Sequence, residues 1–294
     1  MNRFRALLGV LLALCLGILL TSCGSQSSST NTIKLGAIAT GSAPEEQARY
    51  QKIADQLAQK TGMKVDLVTS TDYYAIAEGL RGGKLDVAFL NSLGYVLTAP
   101  KAKIQPLAVG VDNTGQPGYY SYLITKKRDE IKGPADVKGH TLAIANKLST
   151  SGYLFPLRAM QAAGVNSQKD TTLSAGGNHA ANILAVASGQ VDAAFVDSVE
   201  FEAAVKKGRV NPDEVSVVWK SDRISGSPVV ARSDLPADRL EKIKQAVLGL
   251  TGTAETPLGV EKTMKMGEVE DSDYDPIRAL AKQAGLSVDD LEQK

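Results

Sequence analysis

The chain has 294 residues, with 33 Lys and Arg against 32 Asp and Glu, a formal net charge of +1, 43% hydrophobic residues and two cysteines. Charge this balanced excludes a basic nucleic-acid or membrane-binding face, and two cysteines exclude a disulfide-built scaffold. The length is ample for a large core and suits two lobes better than one.

At the N-terminus Arg3 and Arg5 precede the apolar run Ala6 to Leu20. That run is short for a membrane span and has the length of the apolar region of an export signal, so residues 1–22 are expected to be removed. The ending Leu20-Thr21-Ser22-Cys23 resembles the lipobox of bacterial lipoproteins, which implies cleavage before Cys23 and lipid on its thiol. An ordinary signal with a chance cysteine is the alternative. Residues 23–31 are Ser-rich without large apolar side chains and read as a flexible tether. Loss of the leader leaves 31 basic against 32 acidic side chains and, with Cys15 gone and Cys23 lipidated, no thiolate for a disulfide or metal.

The remaining chain alternates strand-like runs with helical patterns, predicting an α/β architecture. Thr32 to Ile38 reads as a strand. Ser42 and Glu45 form a capping box ahead of the helical stripe Tyr50, Ile53, Ala54 and Leu57. Val65 to Val68 is the next strand; Tyr73 to Leu80 is a helix stopped by Gly82-Gly83, and Val87 to Leu90 is a buried strand. Further on come a strand at Thr141 to Ala143, helices at Ser151 to Ala163 and His179 to Ser188, a strand at Ala193 to Val196 and a helix at Ser198 to Lys207. Leu240, Ile243, Val247 and Leu250 then share one helical face, with shorter helices after Pro257 and Pro276. Two extended segments, Tyr119 to Thr125 and Val215 to Trp219, interrupt the alternation. They divide the chain into a lobe of residues 32–118 and 224–294 and a lobe of residues 119–223, the layout of a hinged two-lobed binding protein.

Three features carry chemistry. Ser149-Thr150-Ser151-Gly152 stands at the mouth of a predicted helix, where unpaired N–H groups and the positive end of the dipole neutralise an anion without any cation. An ordinary N-cap explains one of the three hydroxyls. His179 begins a helix and Asp197 ends a buried strand, where ligand loops of α/β sheets gather. Capping and core roles stand as alternatives for both.

Taken with Gln116-Pro117-Gly118-Tyr119-Tyr120-Ser121, Ser70-Thr71-Asp72-Tyr73 and Val218-Trp219-Lys220-Ser221, these segments resemble the phosphonate/phosphite binding proteins of ABC transporters over residues 32–250. The resemblance implies a type II periplasmic binding protein, each lobe a mixed sheet flanked by helices, joined by two hinge strands. It implies a phosphorus oxyanion in the interlobe cleft and delivery to the transmembrane subunits of an ABC permease. With the lipobox ending, the expected protein is a lipid-anchored monomer on the periplasm-facing side of the membrane, and with neither a His-Glu-x-x-His pair nor a cysteine pair no metal or cofactor is expected. The resemblance further makes Ser149, Thr150 and Ser151 donors to the P–O oxygens, with His179 adding another hydrogen bond, charge-assisted if protonated. Tyr73 and Tyr120 match aromatic positions that close over the ligand, and Tyr95 is a weaker candidate. Asp197, if ionised, only accepts, so it favours a protonated ligand oxygen and penalises sulfate.

Members that take aminoalkylphosphonates carry two carboxylates for the ammonium group, and the matching positions here are Val199 and Ser227. Glu200 substitutes only if the alignment slips by one residue. The expected ligand is therefore phosphite or a small phosphonate such as methylphosphonate, with aminoalkylphosphonate, phosphate, sulfonate or a phosphorylated pyrimidine as alternatives. A hydrolase is the remaining rival, since Ser151, His179 and Asp197 are triad residue types. The chain has no Gly-x-Ser-x-Gly elbow and no His-Glu-x-x-His pair, so catalysis is not expected.

Overall fold

The computed structural model describes residues 31–41, 43–112, 114–126, 130–174, 177–252 and 265–287. The leader, the tether up to residue 30, Ser42 of the expected capping box and the short helix expected after Pro257 lie outside these residues.

Eleven strands among the described residues form two sheets. The first is built from β1 (Thr32–Ile38), β2 (Lys64–Ser70), β3 (Val87–Phe89), β4 (Ile104–Val111), β10 (Pro228–Arg232) and β11 (Lys265–Gly267), in the order β11-β4-β10-β3-β1-β2. Strands β1 and β3 run parallel, while β10 is antiparallel to both neighbours. The second holds β5 (Ser121–Lys126), β6 (Thr141–Ala143), β7 (Thr172–Ser174), β8 (Ala193–Asp197) and β9 (Val215–Lys220), in the order β7-β6-β8-β5-β9. Parallel pairs β6–β7 and β6–β8 adjoin the antiparallel pairs β5–β8 and β5–β9. Each sheet with its helices is one lobe.

Helices cover both faces of each sheet. In the first lobe the stripe Tyr50, Ile53, Ala54 and Leu57 of α1 (Ala43–Thr61) packs with Ile243, Ala246 and Val247 of a late helix, Ala237–Leu248, over Ile33, Leu35 and Val229. The opposite face is covered by α2 (Tyr73–Arg81) and α3 (Ser92–Thr98), and its core continues into Leu148 and Leu154 of the second lobe. The second lobe buries Ile183, Val186 and Phe201 on one face of its sheet and Met160, Val165 and Leu142 on the other.

The expected helix at Ser151 to Ala163 is two pieces, a π-helical turn, Thr150–Leu154, running into α4 (Phe155–Ala162). Pro156 in the first turn of α4 supplies no N–H and so suits the junction. Helix α3 and strands β4 and β10 were not anticipated from the pattern. In β4 Pro106 sits beside a register shift against β10, and a proline inside a central strand argues against the strand that is there.

The chain passes between lobes twice, from β4 to β5 and from β9 to β10. The two passages are stitched by Tyr119 N–H to Ile224 O at 3.3 Å and Ile224 N–H to Tyr119 O at 2.9 Å. Gly118 has φ +122°, and a Cβ there would lie 2.5 Å from Ile224 O, so only glycine lets the passages approach this closely.

Candidate functional site

The lobes enclose a cavity of about 590 Å³ whose inner end is lined by Tyr73, Tyr119, Ser149, Ser151, His179 and Asp197. All but Tyr73 come from the second lobe, where three short-range devices hold Ser149, His179 and Asp197. Ser149 caps the π-helical turn, its Oγ accepting from Gly152 N–H at 3.0 Å. His179 opens α6 (His179–Ser188), which follows α5 (Ser167–Asp170) and is capped by Asn178 Oδ1 accepting from Ala181 N–H at 2.9 Å. Asp197 ends β8 and caps α7 (Ser198–Lys206), its Oδ1 accepting from Val199 N–H at 2.7 Å and Glu200 N–H at 3.3 Å.

The imidazole of His179 is fixed in one tautomer. Its Nδ1 faces Asp197 N–H at 3.0 Å, and because an amide only donates, Nδ1 is unprotonated and Nε2 carries the hydrogen. That Nε2–H reaches Ser149 Oγ at 3.2 Å. Ser149 Oγ therefore accepts from both Gly152 N–H and His179 Nε2–H, which frees its own hydrogen to donate into the cavity. Burial pushes the imidazole down to about 4, so it is neutral at physiological pH and the charge-assisted bond expected of a protonated ring is not available.

Asp197 serves both roles that its position allowed. One oxygen caps α7, and the other, Oδ2, faces the cleft with Ser151 Oγ 3.5 Å away. Burial raises its carboxyl to about 6, against partial compensation from the capping amides. Tyr73, at the start of α2 in the first lobe, lies beside Ser149 and is 3% exposed.

Other candidates stand elsewhere. Tyr120 lies outside the cavity lining, with Lys220 Nζ 3.5 Å over its ring, and Tyr119 takes the place facing the site, beside the hydroxyls of Ser151 and Ser227. In an extended segment adjacent side chains point to opposite faces, so only one of two neighbouring tyrosines can face the cleft. Tyr95 is 1% exposed and packs edge-on to Tyr274 with ring centroids 4.9 Å apart, its hydroxyl hydrogen-bonded to Asp271, away from the cleft. Thr150 is not a cavity-lining side chain; its hydroxyl accepts from Leu93 N–H and Asn91 Nδ2 of the first lobe, both at 2.9 Å.

Val199 and Ser227 line the cavity, and so does Glu200. Thr40 Oγ1 lies 3.4 Å from Glu200 Oε1, and Glu46 and Arg49 of α1 face the same carboxyl from the first lobe. Burial, with Glu46 and Asp197 adding repulsion, raises Glu200 to about 7. Glu200 reaches the cavity without any slip of the alignment, because it stands with Val199 in the first turn of α7, where successive side chains splay by a large angle and both meet the cavity wall. At the cleft mouth Glu45 of the first lobe pairs with Lys207 at 2.8 Å and with Arg209 of the second.

The inner end is thus a cluster of uncharged donors and one carboxyl, suited to a small oxyanion that bears a proton. The chain matches, over residues 35–275, the family described as the periplasmic substrate-binding protein of the phosphonate ABC transporter. It is 31% identical to the phosphate-import protein PhnD of Mycolicibacterium smegmatis, over 93% of this chain and 94% of that protein. A binding protein component of an ABC phosphonate transporter from Pseudomonas aeruginosa superposes with TM-score 0.79 at 28% identity, covering 86% of each chain. PhnD1 from Prochlorococcus marinus, solved with methylphosphonate, shares the two-lobed fold at TM-score 0.75 and 20% identity, over 87% of this chain and 99% of that one.

Proposed function

The chain belongs to the family of periplasmic substrate-binding proteins of ABC phosphonate transporters, and we propose that its own ligand is phosphite or a small phosphonate such as methylphosphonate. The ligand is captured between the lobes and handed to the permease. Proteins of this family bind and deliver a substrate and do not convert it. Cys23 carries lipid in this reading, anchoring a monomeric protein to the membrane, and residues 32–118 with 224–294 form one lobe and 119–223 the other.

The observation that carries the ligand assignment is the set of neutral donors at the inner end of the cavity, the hydroxyls of Ser149, Ser151, Tyr73 and Tyr119, with Asp197 Oδ2 beside them. Hydroxyls and helix-start amides hold a tetrahedral oxyanion. The carboxyl adds a demand for a shared proton, which sulfate lacks at neutral pH. Inorganic phosphate is the competing ligand, since the Mycolicibacterium smegmatis relative is a phosphate-import protein. Glu200 keeps aminoalkylphosphonates in contention, because a carboxyl lines the cavity although Val199 and Ser227 occupy the two matched positions.

Calorimetric titration with phosphite, methylphosphonate, aminoethylphosphonate, phosphate and sulfate decides among these. Phosphite or methylphosphonate is expected to bind tightest and sulfate weakest. Tightest binding of aminoethylphosphonate would assign Glu200 to the ammonium group, and tightest binding of phosphate would move the chain to the phosphate importers.

The same titration has a pH signature. Glu200 is half-buried between the lobes and stands at about 7, against an ordinary value near 4.5, and opening the cleft returns it to water. A raised carboxyl stabilises the closed form fully below its solvated value, and that contribution is lost as pH rises through 7. Affinity is therefore expected to fall about tenfold more between pH 6 and pH 8 in the wild type than in Glu200→Gln, for one and the same ligand. Parallel pH profiles for the two proteins would show that Glu200 does not titrate with closure.

A further inference from the structure

We propose that Asn91 and Thr150 exchange the cap of α3 when the lobes close, and that this exchange latches the closed cleft. The proposal rests on the reading of the cleft as a site that closes on its oxyanion.

Asn91 stands at the N-cap of α3 in extended conformation, φ −78° and ψ 164°, yet its side chain makes no bond to that helix. Asparagine is among the strongest N-caps, so the unused position needs a cause. Its Nδ2 instead crosses to the other lobe and donates to Leu148 O at 2.6 Å and Thr150 Oγ1 at 2.9 Å. The cap comes back in return: Leu93 N–H in the first turn of α3 donates to Thr150 Oγ1 at 2.9 Å. Thr150 thus caps a helix of the opposite lobe with its hydroxyl.

Asn91 Oδ1 is left buried without a partner. It lies over Gly94, 2.5 Å from where a Cβ would stand, so it is already poised at the start of its own helix. When the lobes part, Leu93 N–H loses Thr150, and a turn of the Asn91 amide brings Oδ1 into the vacant cap. Each state satisfies the helix start with a different residue, which gives two discrete arrangements rather than a continuum. The switch also reaches the ligand wall. Thr150, which accepts two bonds from the first lobe, also stands beside the hydroxyl of Tyr119, and Tyr119 lines the cavity.

The test is a double-mutant cycle with phosphite, methylphosphonate and phosphate as probes. Thr150→Val keeps shape but strands Leu93 N–H, and leaves Asn91 Nδ2 with Leu148 O alone, only in the closed form. It should weaken every ligand by the same factor, about 10- to 100-fold, with the ligand-free melting temperature unchanged, and Thr150→Ser should restore binding. Asn91→Asp still caps its own helix but cannot donate, so it too should weaken binding. Combined with Thr150→Val it should lose less than the product of the two effects, since both break one latch. Wild-type affinity in Thr150→Val, multiplicative effects in the double variant, or a loss of ligand-free stability that accounts for the weakening would each overturn the exchange. A wild-type protein that binds none of the three probes would overturn the ligand reading and the exchange with it, whereas intact wild-type binding beside an unaffected Thr150→Val overturns the exchange alone.

Discussion

Gly152→Ala is expected to lower ligand affinity by about 100-fold or more and to lower the melting temperature by several degrees. In an ordinary helical turn the substitution would help, since alanine loses less backbone entropy than glycine. Here the added Cβ would lie 2.4 Å from Ala145 Cβ, 2.7 Å from His179 Cε1 and 3.0 Å from Ser149 Oγ. None of these is the loose end of a long side chain. Ala145 is tied back by its N–H to Gly152 O at 2.9 Å, and His179 is held by Asp197 N–H on one ring nitrogen and Ser149 on the other. Room for the methyl group can be made only by moving the hydroxyl run away from α6. That separates the donors that must act together, besides an overpacking cost of about 1–3 kcal/mol. Calorimetry and thermal melting check the two halves separately. Wild-type affinity in a destabilised variant would mean that the wall relocates as a unit and that its spacing to His179 does not set binding.

His179→Ala should weaken binding by about 100-fold and also reverse part of the acid sensitivity of the protein. The ring orients Ser149 by occupying its acceptor site, and its loss leaves Asp197 N–H buried without a partner, a cost of about 1–3 kcal/mol. The pH dependence has a definite sign. His179 stands at about 4 in the folded protein against an ordinary 6.5, so the unfolded chain takes up the proton first. Native stability is therefore drawn down as pH falls from about 6.5 to about 4, by about 3 kcal/mol at full extent. The alanine variant lacks that term, so its stability deficit relative to wild type should shrink as pH drops through this window. Denaturant titrations at pH 7 and pH 4.5 measure it. A deficit that stays constant would show that the native ring takes up its proton over the same pH range as the unfolded chain, and the effect of burial on His179 would fall with it.

Much of this site was legible in residue types and spacing. Ser149, Ser151, His179, Asp197 and Tyr73 reach one cavity because strand ends and helix starts gather at one edge of a sheet, and a sequence pattern locates ends and starts well. Tyr120 stands outside the cavity lining because an extended segment offers two faces and the pattern of Tyr119-Tyr120-Ser121 does not say which is inward; the pairing of Tyr119 with Ile224, far along the chain, decides it. Thr150 shares the donor chemistry of its neighbours, whereas the π-helical turn points it across the interface. The partner that draws it there, α3, was itself unseen, since a seven-residue helix too short to show a period leaves little signal. Tyr95 belongs to that same helix, which packs its ring on Tyr274. Glu200 has no counterpart among the matched carboxylate positions, and its place in the cavity follows from the first turn of α7.

The order of strands in the first sheet has a bearing on how the molecule comes into being. Strand β10 lies between β4 and β3, near the middle of that sheet, but in the chain it follows the whole of the second lobe. A polypeptide delivered N-terminus first therefore holds β1 to β4 with an unfilled slot at the centre, while β5 to β9 supply every strand of the second sheet without interruption. The later-made lobe completes its sheet first, and the earlier-made one waits for residues 228–232 to be threaded between strands already in hand.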